Sequence, residues 1–278
     1  MSAVLLSQIV EIADRLYPFH EAEPWDNIGI QIGNPDRTIQ SVAFSLDPTP
    51  QTVEFAAKNS CQLLVTHHPV ILDPIRSIKS DNLCGRTLLA AGRLGVDIVS
   101  LHTNLDAAPG GLNDHLARVL GLEEVITPTP ARCARLGLLP FPLRISELAA
   151  RLTQNLMIQH TRIVSESNSP VQRVFCATGS GMGYLKEAIE YGADVMVTGD
   201  VKYHAAREAI EMGLPVIDAG HFGLERMAID LLVDSFQKQF DGMGLEVSCL
   251  ACDLEKEPFL NIYDPEEECS VERANSTS

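Results

Sequence analysis

Half of the histidines in this sequence directly follow predicted strands, at positions where metal ligands are common. Four of the eight are placed in this way: His67, His68, His102 and His221. The C-terminal ends of parallel strands lie along one edge of a sheet, and α/β proteins bind ligands with the loops at that edge. Imidazole binds zinc, iron, manganese and nickel. The histidine positions therefore predict a metal site at the edge of a sheet.

Two of these histidines begin the same short pattern, in which a carboxylate follows four residues later. The pairs are His102 with Asp106 and His221 with Glu225. On the first turn of a helix this spacing places both side chains on one face, where a metal ion can bind them. The alternative for a single pair is a carboxylate that favours the positive end of the helix beside a surface histidine. Two matched pairs next to an adjacent pair of histidines favour metal binding.

The number of candidate ligands exceeds what one catalytic metal ion uses. Three or four imidazoles and two carboxylates belong to the predicted cluster. Two ions roughly 3.5–4 Å apart that share a carboxylate would use this set and keep open positions for a substrate. Such a pair of ions activates water and polarises a substrate oxygen. The residues alone therefore indicate a dinuclear site.

Strand-like and helix-like segments alternate along the chain and must position these residues. In the first half, the predicted strands are 41–46, 62–66 and 96–101, and the predicted helices are 49–59, 86–94 and 111–120. In the second half, the predicted strands are 174–178, 194–198 and 215–219, and the predicted helices are 183–191, 201–212 and 224–236. This alternation is typical of an α/β protein with a largely parallel sheet.

The two halves follow the same plan. A shift of 132 residues places Val42–His68 on Val174–Asp200 without a gap, and both segments end a strand in Val-Thr. We therefore expect two similar, interleaved α/β halves with three layers and largely parallel sheets. The metal ligands are expected on loops at the C-terminal ends of the strands.

A connector separates the predicted halves, and a tail follows them. Residues 1–125 form the first half and residues 171–252 the second. Residues 126–170 between them are expected to be a connector with a small helical element over 145–156. Residues 253–278 are acidic and polar, which predicts a solvated, mobile tail.

Composition and charge exclude several classes of protein. The 278 residues include 21 Lys and Arg against 37 Asp and Glu, a net charge of −16, and 45% are hydrophobic. These fractions indicate a packed core. The acidity argues against nucleic acid and anionic membranes as partners. A small anionic substrate stays compatible, because local cations or metal ions override the overall field.

The cysteines and the N-terminus predict a cytoplasmic protein. The seven cysteines lie mostly in apolar segments and their number is odd, which indicates reduced thiols. Cys249 and Cys252 form a single C-x-x-C pair, which is a weak zinc signal, and we expect an ordinary strand end there. No apolar segment is long enough to span a membrane, and Met1–Val10 does not resemble a signal peptide.

Several segments together resemble one known family. They are Glu23–Gly29, Val65–Pro69, Leu101–Ala108, Thr198–His204 and Val216–His221, followed by Glu225. Over roughly residues 1–250 the chain is similar to the GTP cyclohydrolase I type 2 homologue family, also called the NIF-three-like dinuclear metal family. It resembles the short form, which lacks the domain that longer members carry between their halves.

The resemblance implies a ligand set, an assembly and an activity. The implied ligands of two divalent ions (Fe, Zn, Mn, Ni or Co) are His67, His68, Asp106, His221 and Glu225, with Glu225 bridging. A ring-shaped homohexamer is implied as well. The implied activity is a hydrolase of the GTP cyclohydrolase kind, in which water attacks C8 of the guanine ring of a nucleotide.

Other functions stay open because a fold and a metal site do not define a substrate. One alternative is a metal-dependent phosphoesterase, and another is a non-catalytic metal-binding, metal-delivery or regulatory protein. The sequence has no Gly-x-Ser-x-Gly nucleophile motif and no phosphate loop, which argues against serine hydrolases and P-loop enzymes.

His102 lies outside the implied ligand set and is the candidate catalytic residue. Beside the metals it would transfer a proton during hydrolysis. The alternative is a structural histidine that is hydrogen-bonded to its own loop.

Three further segments each keep two interpretations. Trp25-Asp26-Asn27 either orders the metal loops or touches substrate, or it forms a turn anchored by a packed tryptophan. Gly179–Gly183 either holds an anion on backbone N–H groups or makes a tight turn. Asp200, Lys202 and His204 either face the site, with Lys202 on a phosphate, or form an exposed helical turn.

Overall fold

The computed structural model describes residues 4–159 and 161–259, which form an α/β protein. Its strands are β1 Val4–Leu5, β2 Gly29–Ile32, β3 Thr38–Ile39, β4 Ser41–Ser45, β5 Leu63–Thr66, β6 Asp97–Ser100, β7 Glu123–Ile126, β8 Arg135–Arg144, β9 Arg162–Val164, β10 Pro170–Cys176, β11 Val195–Thr198, β12 Val216–Asp218 and β13 Ser248–Ala251. Its α-helices are α1 Leu6–Leu16, α2 Pro50–Lys58, α3 Leu83–Leu94, α4 Thr103–Ala107, α5 Leu112–Leu120, α6 Ile145–Leu156, α7 Leu185–Glu190, α8 Tyr203–Glu211, α9 His221–Glu225 and α10 Met227–Gly242.

The first sheet has the strand order β13-β4-β5-β6-β2. The strands β13, β4, β5 and β6 run parallel, and β2 pairs antiparallel with β6 at the edge. Every residue of β5 and β6 is buried. These strands are hydrophobic on both faces because helices cover the sheet on both sides.

The second sheet has the order β7-β8-β10-β11-β12-β9. Its central strands β10, β11 and β12 are parallel, whereas β7, β8 and β9 join in antiparallel pairs. The short strands β1 and β3 form a separate antiparallel ribbon. The predicted α/β class is confirmed, and the sheets are mixed, with parallel strands at the centre and antiparallel strands at the edges.

The central strands repeat between the halves with the offset found in the sequence. In the first sheet Val42 of β4 lies opposite Leu63 of β5. In the second sheet Val174 of β10 lies opposite Val195 of β11. Both pairs are related by the shift of 132 residues, and both are followed by a third parallel strand. The two halves therefore place equivalent strand ends next to equivalent loops.

One face of each sheet packs into a shared core. This core joins Phe44 and Val65 of the first sheet, Val174 and Val197 of the second, and apolar side chains of α1, α5, α6 and α10. The outer face of the first sheet packs on α2 and α3, and the outer face of the second on α7 and α8. The two halves thus share a middle layer of helices. Within the described parts of the chain, no helix has the length and hydropathy needed to cross a membrane.

The segment expected to be a connector adds two strands to the second sheet. The helix predicted over 145–156 is present as α6 with the same bounds. The preceding residues, however, form β7 and β8. Prolines at 140 and 142 argue against a strand in this segment. They lie where the pairing of β8 with β10 shifts register, so their missing N–H groups are tolerated.

The C-terminal part of the chain returns to the first half. β13 lies within the predicted second half, yet it pairs with β4, so the halves are interleaved as predicted. The free thiol of Cys249 lies in this strand and that of Cys252 just after it. Residues 253–259 differ from the expected solvated tail, because both carboxylate oxygens of Glu255 accept backbone hydrogen bonds, from the N–H groups of Leu46 and Asp47. Residues 260–278 of the predicted tail lie outside the described residues.

Candidate metal centre

The five predicted ligands come together at the C-terminal ends of strands from both halves. His67 and His68 directly follow β5, and Asp106 lies on α4 after β6. His221 and Glu225 begin and end α9, which follows β12 of the second sheet. The strand ends of both halves therefore contribute to one cluster of imidazoles and carboxylates.

His67 forms one side of this cluster with Asp106. Its ring is fully buried, and Nδ1 donates a hydrogen bond of 2.9 Å to the backbone oxygen of Leu101. Nε2 lies 3.9 Å from Oδ1 of Asp106 and 3.7 Å from Oε1 of Glu225. This nitrogen is buried without a hydrogen-bond partner among the described residues. It is therefore free to bind a metal ion.

His68 and His221 form the other side. Nδ1 of His68 is 2.8 Å from Oδ1 of Asp47, and Nδ1 of His221 is 2.7 Å from Oδ2 of Asp200. Their Nε2 atoms are 3.4 Å apart and lie 3.1 and 2.8 Å from Oε2 of Glu225. A carboxylate on Nδ1 orients a ligating histidine and raises its basicity. Both histidines thus turn Nε2 toward Glu225, where it is available as a ligand atom.

Glu225 stands between the two sides, with one oxygen toward each. Its side chain is buried, and the backbone of Gly179 passes directly beside Oε1, where a β-carbon would overlap that oxygen. Gly179 has a φ of +60°, a conformation that glycine adopts without strain. The loop 179–183 is thus a tight turn, as one of its two interpretations had it, and its first glycine makes room for the central carboxylate.

The charged groups of the cluster shift one another's pKa values. Although burial opposes ionisation, the three imidazoles hold the pKa of Glu225 well below its usual range. Burial, together with the neighbouring carboxylate of Glu225, raises the pKa of Asp106. Burial alone would lower the pKa of His68, but Asp47 and Glu225 raise it to about 10. Hydrogen bonds and charge from Glu225 and Asp200, opposed by burial, raise the pKa of His221 to about 9.

The donor set fits divalent metal ions. A buried imidazole nitrogen without a partner and a carboxylate oxygen facing two imidazole nitrogens are unfavourable unless a proton or a cation lies between them. The geometry places His67 near both Asp106 and Oε1 of Glu225, and places His68 and His221 around Oε2. Imidazole and carboxylate donors without thiolate suit Zn, Fe, Mn, Ni or Co. The described residues therefore form a cluster that can hold metal.

Metal binding is expected to release protons. The raised pKa values of His68 and His221 keep both imidazoles protonated at pH 7 when no metal is bound. A metal ion must displace the proton from each ligating nitrogen. We expect release of about two protons per ion bound by these two histidines at pH 7, and an apparent affinity that falls as the pH is lowered. Calorimetric titration in buffers of different ionisation enthalpy measures this number, and uptake without proton release would contradict it.

His102 does not pair with Asp106 as the matched spacing predicted. It precedes α4, whereas His221 is the first residue of α9. Ser100 and Asp218 occupy equivalent ladder positions, so the two histidines are offset by one residue. A ring nitrogen of His102 still lies within 4.8 Å of ligand nitrogens of His67 and His68. His102 therefore faces the cluster from the side rather than sharing a ligand pair with Asp106.

Asp26 holds His102 in this position. Its Oδ1 is 2.9 Å from Nδ1 of His102, and its Oδ2 accepts the backbone N–H of Thr103 at 3.0 Å. Burial would raise the pKa of Asp26, but these hydrogen bonds lower it to about 2. The segment Trp25-Asp26-Asn27 thus orders a loop of the cluster. The packed-tryptophan alternative is wrong, since Trp25 is 60% exposed and meets His102 edge-on at 5.9 Å between ring centroids.

The cluster opens into a large cavity. The cavity has a volume of about 1360 Å³, and its wall includes His68 and His221 together with Asp47 and Asp200. Asp47 and Asp200 were missed as partners of the ligands. The available signal was their position at a strand end, since Asp47 follows β4 and Asp200 follows β11. Asp200 also adopts a left-handed backbone, with a φ of 56°, a region that is uncommon for non-glycine residues.

Lys202 and His204 lie apart from the cluster. Both side chains are exposed, and among the described residues that form the cavity wall neither is present. For these two residues, the structure supports the interpretation as an exposed helical turn. Asp200 alone of this segment faces the site.

The fold and the site define a two-halved α/β protein with a candidate metal centre built from both halves. A family model described as Duf34/NIF3 (NGG1p interacting factor 3) matches residues 4–258. The chain belongs to this family, and the resemblance found in its segments is confirmed.

Relatives and solved structures cover nearly the whole chain. A Methanocaldococcus jannaschii protein named GTP cyclohydrolase 1 type 2 homolog is 31% identical over 250 residues, which are 88% of this chain and 98% of that protein. A Streptomyces coelicolor protein of the same name is 32% identical over 231 residues, or 79% and 81% of the two chains. The crystal structure of a Staphylococcus aureus hypothetical protein matches with a TM-score of 0.86 at 26% identity, covering 94% of this chain and 100% of that one.

Proposed function

We propose that this chain is a dinuclear metal-dependent hydrolase that opens the imidazole ring of a guanine nucleotide. The observation that carries the proposal is the central carboxylate, whose two oxygens face two different groups of ligands. The names of the relatives, GTP cyclohydrolase 1 type 2 homolog, support the choice of reaction. In this reaction one water adds at C8 of guanine and the C8–N9 bond breaks, and a second water hydrolyses the formamide left on N7, so that the carbon leaves as formate.

The residues of the cluster have two proposed roles, metal binding and proton transfer. When bound, two divalent ions would activate water and polarise the substrate. His67 and Asp106 would hold one ion, His68 and His221 the other, and Glu225 both. His102 would transfer a proton at Nε2, since its Nδ1 is bonded to Asp26.

The test of this function is a comparison of two products. Metal-loaded protein is incubated with GTP and with a set of phosphoesters, and formate and phosphate are measured. Formate that disappears in His68→Ala, and also in His102→Gln with its metal content intact, would support the proposal. Phosphate without formate would favour a phosphoesterase. Tight metal binding without turnover would leave a metal-binding or metal-delivery protein.

Asp26 is expected to act on turnover through His102. Asp26→Asn removes the ionised partner that fixes the ring, and we expect kcat to fall roughly ten- to a hundredfold. Metal content measured by elemental analysis should stay at the wild-type value, because Asp26 contacts His102 and Thr103 rather than the ligands. An equal loss of metal and activity would contradict a role in positioning His102.

We also propose that the chain assembles as a homohexamer, in line with its family resemblance. Leu72, Ile75 and Ile78 in the loop before α3 are 45%, 41% and 53% exposed. Exposed apolar side chains are typical of interfaces where they adjoin one another. Light scattering is expected to give a mass about six times that of the 30.3 kDa chain. A mass near that of one chain would refute the assembly.

A further inference from the structure

The cavity beside the metal cluster contains acidic groups that already have partners. Asp47 is bonded to His68, Asp200 to His221, and Asp218 to the guanidinium of Arg162. The other acidic side chains of the wall accept backbone N–H groups: Glu255 those of Leu46 and Asp47, and Glu257 that of Phe259. Each carboxylate of this wall thus already has a hydrogen-bond or ion-pair partner within the protein.

Two cations of the same wall have no such partner. Arg226 and Lys256 both line the cavity, and both residues are exposed. Within residues 4–159 and 161–259, neither forms a salt bridge. Arg162 differs from them because Asp218 neutralises it. Among the described residues, the cavity wall therefore holds two positive charges without an acidic partner.

The fold places both cations at fixed positions relative to the metal cluster. Arg226 directly follows Glu225, the carboxylate between the two ligand groups. Lys256 directly follows Glu255, whose carboxylate receives hydrogen bonds of 2.8 and 2.6 Å from the loop that carries Asp47. The backbone at Lys256 is thus attached to the same loop that orients His68. Both side chains reach the cavity from anchored segments.

We propose that Arg226 and Lys256 bind the phosphate groups of a nucleoside di- or triphosphate whose base lies at the metal cluster. This proposal rests on the proposed function and names the part of the substrate that the cavity holds. Guanidinium and ammonium groups are the usual protein donors to phosphate oxygens. In a chain of net charge −16, a polyphosphate needs such local cations to bind. The assignment replaces Lys202, the phosphate candidate of the sequence, which lies outside the cavity wall.

The experiment compares two phosphate probes on metal-loaded protein. Inorganic tripolyphosphate presents the chain of phosphates that the two cations are proposed to bind, whereas orthophosphate presents a single phosphate, which metal ions can bind without them. By calorimetry, Arg226→Gln and Lys256→Gln should each weaken tripolyphosphate binding roughly tenfold and leave orthophosphate binding unchanged. Lys202→Gln is the matched control and should bind both probes like the wild type. Unchanged tripolyphosphate binding in both cavity variants would overturn the proposal.

A charge-conserving variant, the metal content and the formate release together distinguish failure of this proposal from failure of the proposed function. Metal is quantified in every preparation, and Arg226→Lys should retain most of the tripolyphosphate affinity because it keeps the charge. Weaker tripolyphosphate binding in the Gln variants supports the subsite even if GTP yields no formate, in which case only the reaction fails. Formate release with an unchanged KM for GTP in both Gln variants would instead retain the reaction and overturn the subsite.

Discussion

The Glu225→Ala variant is expected to lose both metal ions. Among the described residues, Glu225 is the one side chain with an oxygen toward each group of candidate ligands, 3.7 Å from Nε2 of His67 and 2.8 Å from Nε2 of His221. Without it, each group keeps only two predicted protein ligands. We expect metal affinity to fall by more than about a hundredfold, with elemental analysis after dialysis showing less than half the wild-type content.

A second variant and a control make this result interpretable. Removing a buried carboxylate beside protonated imidazoles can also destabilise the fold, by about 3–5 kcal/mol. Glu225→Gln keeps the volume of the side chain and should lose metal while retaining more of the stability. Glu246→Ala removes an exposed carboxylate that is not part of the cluster, and it should change neither the metal content nor the stability. Unchanged metal stoichiometry in both Glu225 variants would refute the bridging role.

Gly179→Ala is expected to damage the centre without touching a ligand. A β-carbon at this position would overlap Oε1 of Glu225, so the carboxylate must move. The φ of +60° adds a backbone cost of about 1–2 kcal/mol for alanine. We expect metal affinity to fall roughly ten- to a hundredfold, as when a group that supports a ligand is changed, and the thermal midpoint to fall as well.

Gly183→Ala is the matched control because it changes the same loop. A β-carbon on Gly183 meets nothing within 4 Å, and its backbone has no positive φ. This variant should bind metal like the wild type. Equal metal binding in Gly179→Ala and Gly183→Ala would show that the loop does not set the position of Glu225.

The central strands and the histidine cluster could be predicted from the sequence because both are local signals. Buried parallel strands such as β5 and β11 are short aliphatic runs, and each ends at Thr66 or Thr198 before polar residues. Helix α6 was predicted with its observed bounds from its apolar spacing. The histidines could be recognised because they lie within a few residues of the predicted strand ends.

The remaining features depend on contacts between distant segments. Nothing near Asp26 shows that it will meet a histidine 76 residues later, and Asp47 and Asp200 carry no motif that marks them as partners of His68 and His221. The pairing of β13 with β4 likewise joins residues about two hundred positions apart. Carboxylates that orient ligands, and strands that cross between halves, are chosen by the three-dimensional packing, so local patterns do not reveal them.

The pairing of β13 with β4 affects the order in which the chain can fold during its synthesis. β4 leaves the ribosome early, but its partner β13 and the carboxylate of Glu255 emerge only after residue 247. Until then one edge of the first sheet lacks its neighbour, and the loop of Asp47 lacks the hydrogen bonds that hold it. A nascent chain folds from its N-terminal end, yet here the first half waits for β13. The His68 position is therefore completed only after residue 255 has emerged, and a chain that stops before residue 248 lacks this support.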